Sequence, residues 1–204
     1  KLVYAALFLA LALILPFLTG QIQQIGAMLC PMHLPVLLCG FLCGPAWAAV
    51  VGAMAPLLRF ALFGMPPLFP TGAAMCFELA AYGLVSGLLY ACLPKRPHSI
   101  YIALITAMLA GRIVWGCAMA LLLSGDSAPF TWAAFLAGAF INAVPGIAVH
   151  ILLIPLIFLL PLFLEDKAFA VFLAEPISDF IAAAVTTFMF FRFFRKLMKT
   201  GKTE

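Results

Sequence analysis

Three charged side chains and one amide lie inside long apolar stretches of this sequence. They are Arg59, Glu78, Arg112 and Asn142. A charge in the core of a lipid bilayer costs at least about 2.5–3.5 kcal/mol, so it should face a partner or a cavity. A guanidinium group suits carboxylates and phosphates because its fork of N–H donors matches two oxygens. The chemistry that these residues predict is therefore ion pairing or anion binding.

The charge balance of these residues leaves two interpretations open. In the first, Glu78 pairs with Arg59 or Arg112, and the ion pair only locks the helices together. In the second, two arginines and one glutamate have a net positive charge. An anionic ligand that enters from outside balances this charge. The second interpretation predicts a binding pocket that contains both arginines.

Neighbouring residues extend the predicted pocket. Tyr82 lies one helical turn from Glu78, and Trp115 offers an aromatic wall. Gln24 offers an amide in a loop, where amides are more often merely solvated. His33 begins an apolar segment, and a capping or interfacial role competes there with ligand contact. The predicted substrate-binding residues are Arg59, Glu78, Tyr82, Arg112, Trp115, Asn142 and Gln24.

The sequence predicts neither a catalytic nor a metal site. It contains no Walker A sequence, no nucleophile beside a base and no His/Glu metal motif. The three histidines are scattered, and most of the six cysteines lie in apolar runs as small buried residues. An intramembrane enzyme that uses Glu78 as acid or base lacks a second catalytic group at matching depth. We therefore expect no cofactor, and any ATP-driven motor should be a different chain.

The composition excludes a water-soluble domain. Of the 204 residues, 67% are hydrophobic and only 9% are charged, whereas soluble domains average about 25% charged. Most basic residues lie in "PKRPH" (94–98) and "RFFRKLMKTGK" (192–202). This pattern is typical of the loops and ends of a membrane protein and not of a nucleic-acid surface. Abundant Phe without β-alternation favours helices over a barrel.

The predicted fold class is an all-α integral membrane protein, a six-transmembrane-helix bundle plus an extra C-terminal hydrophobic helix. The predicted spans are 2–18, 34–44, 46–64, 73–93, 100–123 and a sixth that begins at Thr131. The sixth exceeds the roughly 20 residues that a span needs, so Pro145, Pro155 and Pro161 are candidates to kink or end it. The Pro-rich segment 65–72 is predicted to be a loop.

Positive charge sets the predicted orientation. Lys95 and Arg96 should keep their turn in the cytoplasm. The N-terminus then lies there too, since 2–18 is interpreted as a retained span and not as a signal peptide. In this orientation the four intramembrane polar residues named first lie between the middle of the membrane and its outer face. A shared outward-facing pocket follows from that common depth.

Two domains are predicted, 1–164 and 165–204. The second contains an apolar stretch, 177–194, that ends in a basic cluster. After six spans the chain should be inside, and a seventh would carry this cluster outside, against the charge rule. Either the segment lies along the inner membrane surface, or the sixth region contains an extra crossing; both alternatives stay open.

Ala6 and Ala10 form a small-xxx-small face on the first span. Small residues at this spacing let two helices approach closely. The face either packs within the chain or contacts a partner helix of another membrane subunit, and the residues leave both open.

Several long blocks, in order, resemble one known family. They include "MLCPMHLPVLLCGFLCGPAWAAVVG", "PLLRFALFGMPPLFPTGAAMCFELAAYGLVSGLLY", "AMLAGRIVWG" and "FLAGAFINAVPGI". Over about residues 1–155 the chain resembles the substrate-binding S component of energy-coupling factor (ECF) vitamin transporters. The resemblance implies a subunit of the bacterial cytoplasmic membrane that binds a vitamin or cofactor precursor from outside and has no ATPase of its own.

The resemblance also implies partners and a site. An S component joins a transmembrane coupling subunit and two cytoplasmic ATPases, and the face with Ala6 and Ala10 would contact the coupling subunit. Its ligand site lies near the outer face, which matches the depth of the intramembrane charges. The excess of cations favours a carboxylate-bearing ligand such as pantothenate or a folate; riboflavin and precursors of thiamine or cobalamin remain alternatives.

The C-terminal segment departs from this family. "LPLFLEDKAFAVFLAEPISDFIAAAVTTFMFFRFFRKL" resembles the last helix of a MATE-type multidrug exporter. An exporter fragment is therefore the alternative function, although an exporter needs a repeated bundle about twice this length and the sequence contains no internal repeat.

Overall fold

The computed structural model describes residues 1–18, 30–124, 131–141 and 144–163, together with Ala174. The chain divides into two compact units, Lys1–Ile147 and Ala148–Glu204. Within the described ranges all regular structure is helical, which confirms the predicted all-α class. The predicted boundary after residue 164 stays a prediction.

Seven α-helices and two short π-helical turns make up the described structure. The α-helices are α1 (Leu2–Leu18), α2 (His33–Cys43), α3 (Pro45–Phe63), α4 (Ala73–Cys92), α5 (Pro97–Leu122), α6 (Trp132–Leu136) and α7 (Val144–Phe163). The π-helical turns are Leu68–Gly72, which leads into α4, and Ala137–Ile141, which follows α6.

Three of the described helices are long and apolar enough to cross a membrane. They are Pro45–Phe63, Leu68–Cys92 and Pro97–Leu122, and shorter apolar helices occur at Leu2–Phe17, His33–Cys43 and Gly146–Leu160. Large apolar side chains such as Leu62, Phe77 and Ile113 point outward and are about 60% exposed. Such a surface suits lipid and not water. The count of six spans plus one stays a prediction.

Proline and glycine set the helix ends. Helices α3 and α5 begin at Pro45 and Pro97, where a missing N–H costs nothing because the first turn has no intrahelical acceptor for it. Helix α3 ends at Gly64, whose φ of 70° places it in the left-handed region, and its N–H donates to the Phe60 carbonyl. The Thr131 hydroxyl caps α6 by accepting from the Ala134 N–H.

The structure adds detail to two predicted segments. The segment 65–72, predicted to be a loop, contains the short turn Leu68–Gly72, in which Phe69 has an extended backbone (φ −121°, ψ 135°). The segment after Thr131, predicted to be one long span, is described as three pieces: α6, the second π-helical turn and α7. Pro145 is the second residue of α7 as the structure describes this helix.

Side-chain contacts fix the helix directions in the first unit. Helix α1 runs parallel to α3, since Arg59 contacts Leu13 and Phe63 contacts Phe17. Helix α4 runs antiparallel to α5, since the Arg112 side chain meets Glu78 and Gly111 lies against Tyr82. The same end of this bundle therefore carries the end of α1 and the starts of α2 and α4.

Close packing makes α4 the centre of the bundle. A Cβ atom added at Gly83 of α4 would lie 2.5 Å from the Ala48 carbonyl oxygen of α3, and one at Gly87 would lie 2.6 Å from Pro45 N. Real Cβ atoms do not come this close, so the backbones of α3 and α4 touch only because these residues lack side chains. This contact holds α4 at a fixed position and thereby fixes the residues that it carries.

We predict that Gly83→Ala lowers the stability of the bundle. The added methyl group would overlap the backbone of α3, and overpacking of this kind costs about 1–3 kcal/mol. Thermal unfolding of the detergent-purified protein measures the effect. Leu84→Ala, which removes an outward-facing side chain from the same helix, is the control. A Tm for Gly83→Ala equal to wild type would contradict the close contact.

Candidate functional site

One carboxylate at the start of α4 binds three other side chains. The Glu78 Oε1 atom lies 3.0 Å from Arg112 Nη1 and 3.5 Å from His33 Nε2. It also accepts a hydrogen bond of 3.2 Å from the Tyr82 hydroxyl. Because Glu78 is only 2% exposed, these partners take the place of water around its charge. Glu78, Tyr82, Arg112, His33 and Cys30 are called the polar cluster below.

Three helices position the polar cluster. Glu78 and Tyr82 lie one turn apart on α4 and therefore share a face. Arg112 comes from α5, and the neighbouring Gly111 leaves room for the Tyr82 ring, which lies 2.8 Å from where a Cβ would be. His33 is the first residue of α2, and its ring packs edge-to-face on Tyr82 at 5.0 Å. The cluster thus forms only when α2, α4 and α5 are packed together.

The Arg112 guanidinium has donors to spare. Its Nη1 faces Glu78, and its Nη2 donates to the Cys30 thiol over 3.4 Å. Sulfur is a weak acceptor. Burial raises the pKa of Cys30, which precedes α2, so the thiol stays neutral at pH 7. The Arg112 Nε is buried and has no hydrogen-bond acceptor within the described residues. Arg112 therefore has its charge balanced by Glu78 but its hydrogen-bonding capacity unfilled.

Arg59 lies in a different environment. Its Nη1 donates a 2.7 Å hydrogen bond to the Leu13 carbonyl of α1. Its guanidinium carbon lies 5.2 Å from the centre of the Phe17 ring and 5.5 Å from that of Phe63. Across the described ranges, the ion-pair partners of Glu78 are Arg112 and His33. The structure therefore brings one of the two predicted arginines to the carboxylate and places the other against α1.

Trp115 belongs to an aromatic group one turn beyond Arg112. Its ring stacks on Phe135 with 6.4 Å between centroids, and Phe135 contacts Trp132 at 5.1 Å. Gly138 makes this contact possible, since a Cβ there would lie 2.7 Å from the Trp115 ring. With a spacing of three residues, Arg112 and Trp115 share a face of α5. An apolar surface thus lies beside the polar cluster.

Two predicted site residues, Gln24 and Asn142, lie outside the described residues. Conversely, the structure adds Cys30, which the sequence did not single out. No spacing signal could have found it, because Cys30 and Arg112 are 82 positions apart. A positive φ of 50° at Cys30, uncommon for a residue with a side chain, shows only in the folded chain. Within the described ranges no group of three His, Cys, Asp or Glu side chains is placed to hold a metal ion.

Comparison with known proteins decides the class of the molecule. Residues 1–158 match the family described as ECF transporter, substrate-specific component. The chain belongs to this family. The resemblance found in the sequence is thereby confirmed for most of the chain, and the S component is a transport subunit and not an enzyme. Comparison with curated proteins and with solved structures finds no match.

The C-terminal segment lies beyond the part of the chain that matches the family. The family match ends at residue 158, and residues 164–204 lie outside the described structure except for Ala174. The alternative that the chain is a fragment of a MATE-type exporter therefore has no support from the match or from the described helices.

We predict that Glu78 and Arg112 depend on each other for stability. Glu78→Gln or Arg112→Gln alone leaves a buried charge without its main partner, which typically costs about 3–5 kcal/mol. The double variant removes both charges, so its cost should be clearly smaller than the sum of the two single costs. Thermal unfolding of the four proteins in detergent measures this coupling. Additive losses would show that the two side chains do not interact in the folded protein.

Proposed function

We propose that this S component captures a carboxylate-bearing vitamin or cofactor precursor, such as pantothenate or a folate, from outside the cell. Arg112 anchors the ligand carboxylate, and Glu78 and Tyr82 hold Arg112 in place. Trp115 forms the apolar side of the site. The membership of the chain in the substrate-specific family supports the class of activity, and the contacts of Arg112 support the chemical class of the ligand.

The observation that carries this proposal is the unfilled Nε of Arg112. Nε and Nη2 form one edge of the guanidinium fork; the first has no acceptor among the described residues and the second has only a thiol. A ligand carboxylate on this edge would accept two parallel hydrogen bonds, the geometry in which arginine binds carboxylates most strongly. Arg112 would then bridge the ligand and Glu78.

The carboxylate of the proposed ligand would add a second negative charge beside Glu78. Glu78 and the ligand would share one guanidinium, and two negative groups on one cation repel each other. The Nε2 atom of His33 lies 3.5 Å from the Glu78 carboxylate. The proposed ligand thus enters a site in which Glu78 already has two nitrogen-bearing partners, Arg112 and His33.

The remaining sequence predictions fit this proposal to different degrees. Gln24 and Asn142 stay predicted ligand contacts. Arg59 is left out of the proposed ligand site because its contacts are with α1. The proposed topology keeps the N-terminus in the bacterial cytoplasm, so that the polar cluster faces the outer half of the membrane.

The proposed partners are a transmembrane coupling subunit and two cytoplasmic ATPases, since this chain provides the substrate-specific component alone. Helix α1 is the proposed docking element. Ala6 and Ala10 are both exposed, whereas Ala5 and Ala12 are buried against the bundle. The small-residue face is therefore free of packing within the described first unit, which favours contact with another subunit.

The ligand proposal is tested with Arg112→Lys. Lysine keeps the positive charge beside Glu78 but lacks the planar fork that binds a carboxylate through two bonds. We expect a Tm near that of wild type and binding of pantothenate or folate at least about tenfold weaker, the loss expected for a hydrogen bond to a charged group. Isothermal titration in detergent measures the affinity, and mass spectrometry of the purified protein identifies any vitamin that co-purifies.

Arg96→Lys is the matched control, because Arg96 is exposed in the turn before α5. It should bind as wild type does. Equal affinity of the Arg112→Lys variant and wild type would show that Arg112 does not anchor the ligand. A co-purifying molecule without an anionic group would overturn the proposed ligand class while leaving the family unchanged.

The docking proposal is tested with Ala6→Leu and Ala10→Leu. Larger side chains would hold a partner helix away from α1, so co-purification with the coupling subunit should fall while ligand binding stays at the wild-type level. Ala120→Leu, at an exposed alanine of α5, is the control. Unchanged assembly in both α1 variants would rule out this face as the contact.

A further inference from the structure

We infer that Arg59 is a positioning residue for α1, and that it governs assembly with the coupling subunit instead of ligand binding. The inference rests on the proposed docking role of α1. It assigns the second intramembrane arginine a function that differs from that of Arg112.

Two contacts of Arg59, with Leu13 and Phe17, join α3 to α1, and a third, with Phe63, lies within α3. Its guanidinium donates to the Leu13 carbonyl over 2.7 Å and lies within 5.5 Å of the Phe17 and Phe63 ring centres. The two rings, one from each helix, meet edge-to-face at 4.8 Å. A cation between two aromatic rings is attracted by both, more strongly where water is excluded. Arg59 is 5% exposed, so water contributes little to its environment.

Pro16 affects the hydrogen bonding of α1 next to this contact. It lies inside α1 and has no N–H, so the Ala12 carbonyl has no backbone donor four residues further along the helix. The Leu13 carbonyl, one residue later, keeps the Phe17 N–H as its intrahelical donor, and its second lone pair can accept from Arg59 Nη1. Arg59 therefore adds a hydrogen bond from α3 at a part of α1 that has one backbone hydrogen bond fewer.

Helix α1 has two faces, and the contacts of Arg59 with α1 affect the position of both. Ala5, Phe8, Ala12 and Pro16 are buried toward the bundle, where α1 packs against α2 and α3. Ala6 and Ala10 lie on the exposed side of the same helix. Any rotation or tilt of α1 on α3 therefore moves the small-residue face. A guanidinium bonded near the end of α1 fixes both the rotation and the tilt, because it contacts a backbone atom and a ring.

Arg59 and Arg112 have different kinds of partner, and this difference indicates different functions. The Arg112 Nε has no acceptor in the described part of the chain, and that arginine pairs with an acid. Arg59 has a backbone carbonyl and two ring faces as its partners. A ligand at Arg59 would have to displace contacts that hold α1, whereas a ligand carboxylate at Arg112 could accept from the Nε donor.

The test compares Arg59→Gln, Arg59→Lys and Arg112→Lys. Each variant is co-expressed as the full chain with the coupling subunit and the two ATPases, and the amount of S component in the purified complex is measured. Binding of pantothenate and folate to the isolated S component is measured in parallel. We expect Arg59→Gln to lower assembly at least about fivefold while its affinity stays within about twofold of wild type, and Arg59→Lys to recover part of the assembly.

A general loss of stability is excluded by a matched variant. Gly83→Ala weakens the bundle without touching α1, so it should lower Tm but leave assembly intact. The decisive comparison is between Gly83→Ala and Arg59→Gln proteins that have equal Tm values. If assembly falls equally in both variants, Arg59 acts through stability alone and the inference is overturned. Loss of ligand binding in Arg59→Gln with normal assembly would also overturn it and return Arg59 to the ligand site.

The same experiment separates this inference from the proposed function. If wild type and Arg59→Gln assemble equally well, the inference fails while the S component's role in the complex stands. If wild type binds neither vitamin but assembles, the ligand proposal fails and the assembly comparison still decides the role of Arg59. If wild type does not assemble, the docking proposal and this inference fail together.

Discussion

A carboxylate buried among helices has to be solvated by the protein, and this constraint organises the first unit. Glu78 receives an arginine from α5, a histidine from α2 and a tyrosine from its own helix. None of these partners is near Glu78 in sequence except Tyr82, so the charge is stabilised only in the folded bundle. The glycine contact between α3 and α4 places Glu78 where the other helices reach it.

On the proposed account, the two buried arginines have separate roles in this transport subunit. Arg112 keeps an unfilled donor beside Glu78 and is suited to a ligand, whereas Arg59 binds α1 and is suited to control of a partner surface. Both lie toward the end of the bundle where α1 and α3 end and α2 and α4 begin. On this account, capture and assembly depend on separate contacts and can be changed independently by mutation.

The sequence predicted the all-α class, the first helices and an ion pair of Glu78 with either Arg59 or Arg112, because a buried charge needs a partner and apolar spans are mostly helical. It did not predict where Arg59 points. Depth alone placed both arginines near Glu78, but in the structure Arg59 points toward Leu13 and Phe17 of α1. The contact of Cys30 with Arg112 and the close approach at Gly83 depend on tertiary packing, which has no local signal in the sequence.

The most direct measurement is an experimental structure of the S component with its vitamin bound. The account predicts a carboxylate of the ligand within hydrogen-bond distance of Arg112 Nε, with Glu78 still paired to Nη1 and Arg59 still on the Leu13 carbonyl. A ligand bound away from Arg112, or one held by Arg59 after release of α1, would contradict it.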